Sequence, residues 1–178
     1  MKHLFSRSLI LFASTLVSLF IATQSAWGAD AVLFNVDFTT LETETISTTN
    51  SNSTFVNKTY SGYTMAFGVK KDKNITITKG TGLTFVDNNY ADYTCLAIPL
   101  TLTANNDVTV TVTLAKSGKI KYGWATGALP ATPSAPSGTT YANNEETNTI
   151  TYTPTSAGSY VLYLGRSGTS SGKVVKSI

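Results

Sequence analysis

The chain has 178 residues, with 13 lysines and arginines against 10 acids and one histidine, His3. Lys2, His3 and Arg7 all lie in an N-terminal leader, so residues 29–178 hold 11 cations against 10 acids, a net charge of +1, and no imidazole. That balance excludes the clustered cations of a nucleic-acid binder, and the missing histidine excludes His-dependent serine and cysteine hydrolases and the commonest zinc sites.

Met1 to Arg7 is short and basic, the run Leu9 to Ala22 is apolar but for Ser14, Thr15 and Ser18, and Ala26 and Gly28 are the small residues a signal peptidase reads. This is the pattern of a signal peptide, 1–28, whose apolar core falls short of the ~20 residues a spanning helix needs. Cleavage is expected after Gly28. The product, 29–178, is expected to be one exported domain, periplasmic, at the cell surface or extracellular, with no second apolar stretch to enter a membrane. It is read as a monomer or as a module of a longer chain.

Residues 29–178 contain 29 Thr, 13 Ser and 12 Asn. Threonine is β-branched and suits a pleated surface, so Thr alternating with aliphatic residues favours strands. In chain order, Val32, Phe34, Val36 and Phe38 share one face of a first strand, with Asp37 as the one acid in a partly buried setting, a strand-end hydrogen-bond partner. Thr39 to Thr59, rich in Thr, Ser and Asn, is expected to be a loose connection with at most one edge strand. Lys70, Lys71 and Lys73 around Asp72 form a solvated turn rather than a cationic patch.

Alternation returns in Asn74 to Thr78. Thr94 to Leu100 and Tyr160 to Leu164 are apolar at successive positions, which implies central strands covered on both sides. Cys95, in the first of these, has no partner for a disulfide and is expected to be an inert, buried thiol. The clearest alternation is Val108 to Leu114, in which Val108, Val110, Val112 and Leu114 point one way and the threonines the other. Ile120, Tyr122 and Trp124 share a face, Pro130 to Gly138 reads as a surface loop, and Thr149 to Thr153 and Gly172 to Ile178 complete the series. Turn residues separate these runs at Lys79 to Gly82, Asp87 to Asn89, Asn105 to Asp107, Lys116 to Lys119, Ser156 to Gly158 and Gly168 to Gly172.

Ten or eleven strands and no helical periodicity predict an all-β, antiparallel two-sheet sandwich of jelly-roll type, with an immunoglobulin-like sandwich as the alternative. The last strand either pairs back near the first, as jelly rolls often arrange it, or the sequence is the front module of something longer.

No paired carboxylates stand out for acid–base work, so an enzyme is not expected. Aromatic rings beside amides are the more suggestive chemistry, because sugar C–H faces stack on Trp and Tyr while amides and charged groups bond the hydroxyls. Tyr90 with Asn88, and Tyr141 with Asn143, have that company; Trp124 and Arg166 complete the candidate ligand site, although alternation with Ile120 and Tyr122 argues for Trp124 in the core and Arg166 reads first as a turn residue after Gly165. Asp87 and Asp92, close together with amides between them, are the candidate ligands of a structural calcium ion, although the spacing is not that of an EF-hand and other loops would have to contribute oxygens. No other cofactor is implied.

The opening Ala31-Val32-Leu33-Phe34-Asn35-Val36-Asp37-Phe38 and the closing Ala157 to Arg166 with Gly172 to Ile178 resemble the first and last strands of secreted β-sandwich modules of Bacteroidota. Those modules are found ahead of pectate lyases and other polysaccharide-degrading enzymes and are similar to carbohydrate-binding modules. The resemblance spans the two ends of the chain, and it implies a jelly roll and a supporting, non-catalytic role in binding polysaccharide. A structural or adhesive cell-surface protein, or a protein-binding accessory domain, is the competing expectation.

Overall fold

Twelve strands and no helix make up the regular structure in a computed structural model that describes residues 32–85, 94–115, 120–133, 140–141, 147–166 and 173–178. They are β1 (Glu44–Ile46), β2 (Thr54–Tyr60), β3 (Tyr63–Val69), β4 (Ile75–Thr78), β5 (Gly82–Phe85), β6 (Cys95–Leu102), β7 (Val108–Leu114), β8 (Ile120–Thr126), β9 (Thr140–Tyr141), β10 (Thr147–Tyr152), β11 (Gly158–Arg166) and β12 (Lys173–Ser177). The leader and its cleavage point lie outside the described residues.

One sheet has the order β1-β4-β5-β12-β7-β10 and the other β2-β3-β6-β11-β8-β9, antiparallel throughout. From β5 to β12 the chain changes sheet at every connection except β8 to β9. That winding, with β5-β12-β7-β10 in one sheet and β6-β11-β8-β9 in the other, is a jelly roll. In an immunoglobulin-like sandwich the first two strands pair within one sheet, whereas β5 and β6 lie in opposite sheets. The four earlier strands widen the roll, β1 and β4 beside β5, β2 and β3 beside β6.

Alternation sets which face is buried. Along β7, Val110, Val112 and Leu114 are buried while Thr109 and Thr111 are exposed, and each fully buried aliphatic side chain contributes about 1.5–3 kcal/mol. The inward faces of both sheets form one continuous core that includes Phe38, Phe67, Phe85, Leu96, Leu162 and Leu164. β6 and β11, central in their sheet, also bury their outward residues: Cys95, Ala97, Val161 and Tyr163 join Ala66 in a second apolar cluster flanked by Phe55, Ala125 and Leu129. The successive apolar positions in these two strands reflect that double cover.

The first stretch differs from expectation in extent. Only the end of Val32 to Phe38 is paired, where Val36 N donates to Ile178 O at 2.8 Å, Ile178 N to Val36 O at 3.0 Å and Phe38 N to Lys176 O at 2.8 Å. The beginning and end of the roll therefore meet along β12. This segment takes over the edge of β12 that β5 leaves at Val175. Gly82 stands at the handover with φ +120°, where a Cβ would fall 2.5 Å from Val175 O; only glycine accepts that conformation and approach.

Thr39 to Thr59 holds two strands rather than at most one, β1 and most of β2, each at the edge of its sheet. β2 turns into β3 through Ser61 and Gly62, both at positive φ (51° and 83°), as a two-residue hairpin loop that matches strand twist requires.

Candidate functional site

The registers fix which strand ends share an end of the sandwich. Phe85 opposes Lys173 and Thr147 opposes Thr113 in one sheet; Cys95 opposes Gly165, and Lys121 opposes both Gly165 and Tyr141, in the other. Each odd-numbered strand therefore ends at this end of the sandwich and each even-numbered strand begins there.

Two candidate residues stand at this end. Tyr141 closes β9 opposite Lys121, one residue from Ile120, which opposes Arg166. Asp87, Asn88, Tyr90 and Asp92, between β5 and β6, and Asn143, between β9 and β10, lie outside the described residues. Of the strands that bound them, β6 begins at Cys95 opposite Gly165 and β9 ends at Tyr141.

Arg166 is not a turn residue. It is the last residue of β11, only 5% exposed, and alternation with Leu162 and Leu164 aims it at the core side. Continuing the β6–β11 register one step beyond Cys95 and Gly165 sets Thr94 opposite Arg166, and the β3–β6 register sets Val69 beside Thr94. Val69, Thr94, Arg166 and Ile120 thus form one inward row, 1%, 1%, 5% and 0% exposed. Thr94 Oγ1 and Arg166 Nε are sealed from solvent without a hydrogen-bond partner among the described residues.

Trp124 sits elsewhere. It opposes Leu162, four residues along β8 from Ile120, about 13 Å at the ~3.3 Å rise of a strand. Its ring is half-buried against the core and stacks on Tyr152, with centroids 4.6 Å apart and an interplanar angle of 14°. Tyr152 meets Tyr160 edge-on at 5.8 Å, and Tyr160 donates to Ser156 O at 2.8 Å. Burial, and to a lesser degree Tyr160, hold the Tyr152 phenol above its ordinary range. Trp124 Nε1 is buried without a partner among the described residues.

Asp37 is exposed rather than partly buried. It does serve as a hydrogen-bond partner: its Oδ1 accepts from Thr39 N at 2.9 Å and Thr39 Oγ1 at 2.6 Å, an Asx turn after the paired segment. The half-buried carboxylate is Glu44, which no sequence motif singled out. Its Oε2 accepts from Lys58 Nζ at 2.7 Å and its Oε1 from the Tyr60 hydroxyl. Burial raises the Glu44 pKa, but the Lys58 and Tyr60 hydrogen bonds and the ammonium charge together outweigh it and lower it. Burial first, then the Glu44 contact, push the Tyr60 phenol well up. The signal available in sequence was alternation alone, Glu44 with Ile46 and Lys58 with Val56.

No family model, curated protein or solved structure matches this chain. Among the described residues no cluster of His, Cys, Asp and Glu is placed to hold a metal ion. Cys95 is free and buried, and burial pushes its thiol up to about 12, which a hydrogen bond with the Gly68 backbone only partly offsets.

Proposed function

We propose that this protein is an exported, non-catalytic module that binds polysaccharide with the Arg166 end of its jelly roll. The observation that carries this reading is the gathering of strand ends, Tyr141 and Arg166 among them, at one end of a two-sheet scaffold. Binding residues concentrate on connections held by a rigid framework, and an aromatic ring, amides and a cation are the groups that recognise sugars. The resemblance of the two chain ends to secreted polysaccharide-associated modules supports the same reading.

In this reading Trp124 serves packing more than contact, and the module needs no cofactor. The calcium candidates, Asp87 and Asp92, are checked by melting the protein with and without a chelator, with an unchanged midpoint expected. Affinity electrophoresis of residues 29–178 through gels holding single polysaccharides tests the function: retardation that Tyr141→Ala or Tyr90→Ala weakens supports it. Capture of a protein partner with no retardation by any polysaccharide would favour the adhesive or accessory alternative.

A further inference from the structure

The two sheets end on the edge strands β1, β2, β9 and β10, and an edge offers backbone N–H and C=O groups to any other extended chain unless something blunts it. β1 is three residues long and β9 two, too short to template a partner. β2 carries Lys58 opposite the core residue Met65 and tied to Glu44, an inward charge of the kind that guards an edge. β10 has none of these devices. It runs six residues, Thr147–Tyr152, without a charge or a proline, in unbroken register with β7. Among the described residues nothing pairs with its outer side, and its outward side chains, Thr147, Thr149 and Thr151, are exposed.

We propose that β10 pairs edge to edge with β10 of a second copy of this chain, antiparallel about a two-fold axis, so that two copies of its sheet become one continuous sheet. Such an axis stands perpendicular to the sheet, and it sets each outward side chain against an outward one and each inward side chain against an inward one. With threonine at every outward position, β10 is complementary to itself. Centred on Thr149, the pairing sets Thr149 against the partner's Thr149, Thr147 against the partner's Thr151 and, on the inward side, Asn148 against the partner's Ile150. Threonine pairs across strands are favourable, and an uncharged strand has nothing to repel its copy. The contact is one strand edge, smaller than a permanent interface, so the dimer forms and dissociates with concentration. The axis reverses strand direction, so the two Arg166 ends face opposite ways.

Sedimentation equilibrium of the protein recovered from expression of the full chain, from micromolar to millimolar concentration, reads the association, and a monomer–dimer equilibrium is expected. Thr149→Lys sets two lysines against each other on the axis and leaves monomer alone. Thr149→Glu does the same with two carboxylates, and an equimolar mixture of the two variants restores a dimer with one copy of each. Thr149 is exposed, so the melting midpoint and circular dichroism of both variants stay close to those of the wild type. Thr45→Lys, also exposed but on edge strand β1, is the control and dimerises as the wild type does. Monomer at every concentration overturns the proposal. So does a dimer that Thr149→Lys leaves intact, one that Thr45→Lys abolishes, or failure of the mixed variants to associate. None of these readouts involves polysaccharide, so their failure leaves the function proposed above standing.

Discussion

Glu44 and Tyr60 hydrogen-bond across the gap between the two sheets, joining edge strand β1 to edge strand β2. Lys58 closes the cluster on the same carboxylate, and the Tyr60 ring stands edge-on to Phe38 at 6.4 Å and Phe67 at 6.1 Å. One side of the sandwich is therefore sealed by a polar clasp laid over aromatic packing.

This clasp makes stability depend on pH in a definite direction. The folded Glu44 carboxyl is held below its ordinary value of 4.5, so its contribution is present above that value and fades as pH falls through the depressed one. With the Glu44 and Lys58 side chains 30% and 36% exposed, the ion pair is worth less than ~1 kcal/mol. Glu44→Gln should lower the melting midpoint by a few degrees at pH 7 and flatten its fall below pH 4.5, as differential scanning calorimetry across pH would read.

Tyr60→Phe keeps the ring and removes the hydroxyl, so it should cost about 1 kcal/mol, a midpoint change of roughly 2–4 °C. At the alkaline end the raised Tyr60 phenol predicts that wild-type stability declines once pH passes the ordinary phenol value near ~10, and that Tyr60→Phe lacks part of this decline. Urea titrations at pH 8 and pH 11 separate the two contributions.

Gly82→Ala should be among the most damaging single-methyl additions. The new Cβ would fall 2.5 Å from Val175 O, a backbone atom with little room to give, at φ +120°. A loss of about 2–4 kcal/mol is expected. Gly62→Ala is the control: φ is +83° but no atom lies within 4 Å of its Cβ, so only the conformational cost of about 1 kcal/mol applies. Similar losses for both would show that the close approach to β12 is not what constrains Gly82.

Trp124→Ala should lower stability by about 2–3 kcal/mol through lost packing yet leave polysaccharide retention of the folded protein unchanged. Trp124→Phe should cost less than ~1.5 kcal/mol, since it keeps a ring against Tyr152 and deletes an unpartnered N–H. Loss of retention in Trp124→Phe would move the ligand site to the opposite end of the roll.

Cys95 should resist thiol reagents in the native protein. At 3% exposure, with a thiol pushed up to about 12, it offers little thiolate at neutral pH. Labelling with Ellman's reagent should proceed only at the rate of unfolding, and reaction within seconds in buffer alone would contradict the burial of the outer cluster.

What the sequence made legible was what one strand decides alone. Val108 to Leu114 declared its faces by alternation, and Tyr160 to Leu164 declared a strand covered on both sides. What escaped depends on partners distant in sequence. β1 and β2 sit in a stretch whose Thr, Ser and Asn resemble a loop until their pairings with β4 and β3 are known. Val32 and Leu33 have strand-like composition, yet pairing begins only where Val36 meets Ile178. Arg166 looked like a turn residue because Gly165 precedes it, and only the registers with β6 and β8 put it within a strand and on the inward face.

The place of β12 between β5 and β7 governs the order in which the molecule can assemble. A chain emerging from its N-terminus first, from a ribosome or a translocation channel, can form hairpins such as β2–β3 at once. It must keep the β1-β4-β5 and β7-β10 portions of its first sheet apart until residues 173–178 arrive to join them. Much of the pairing closes across long stretches of chain, so folding should be slow and its final step late. Until then, the edges of β5 and β7 stay open to any other extended chain nearby.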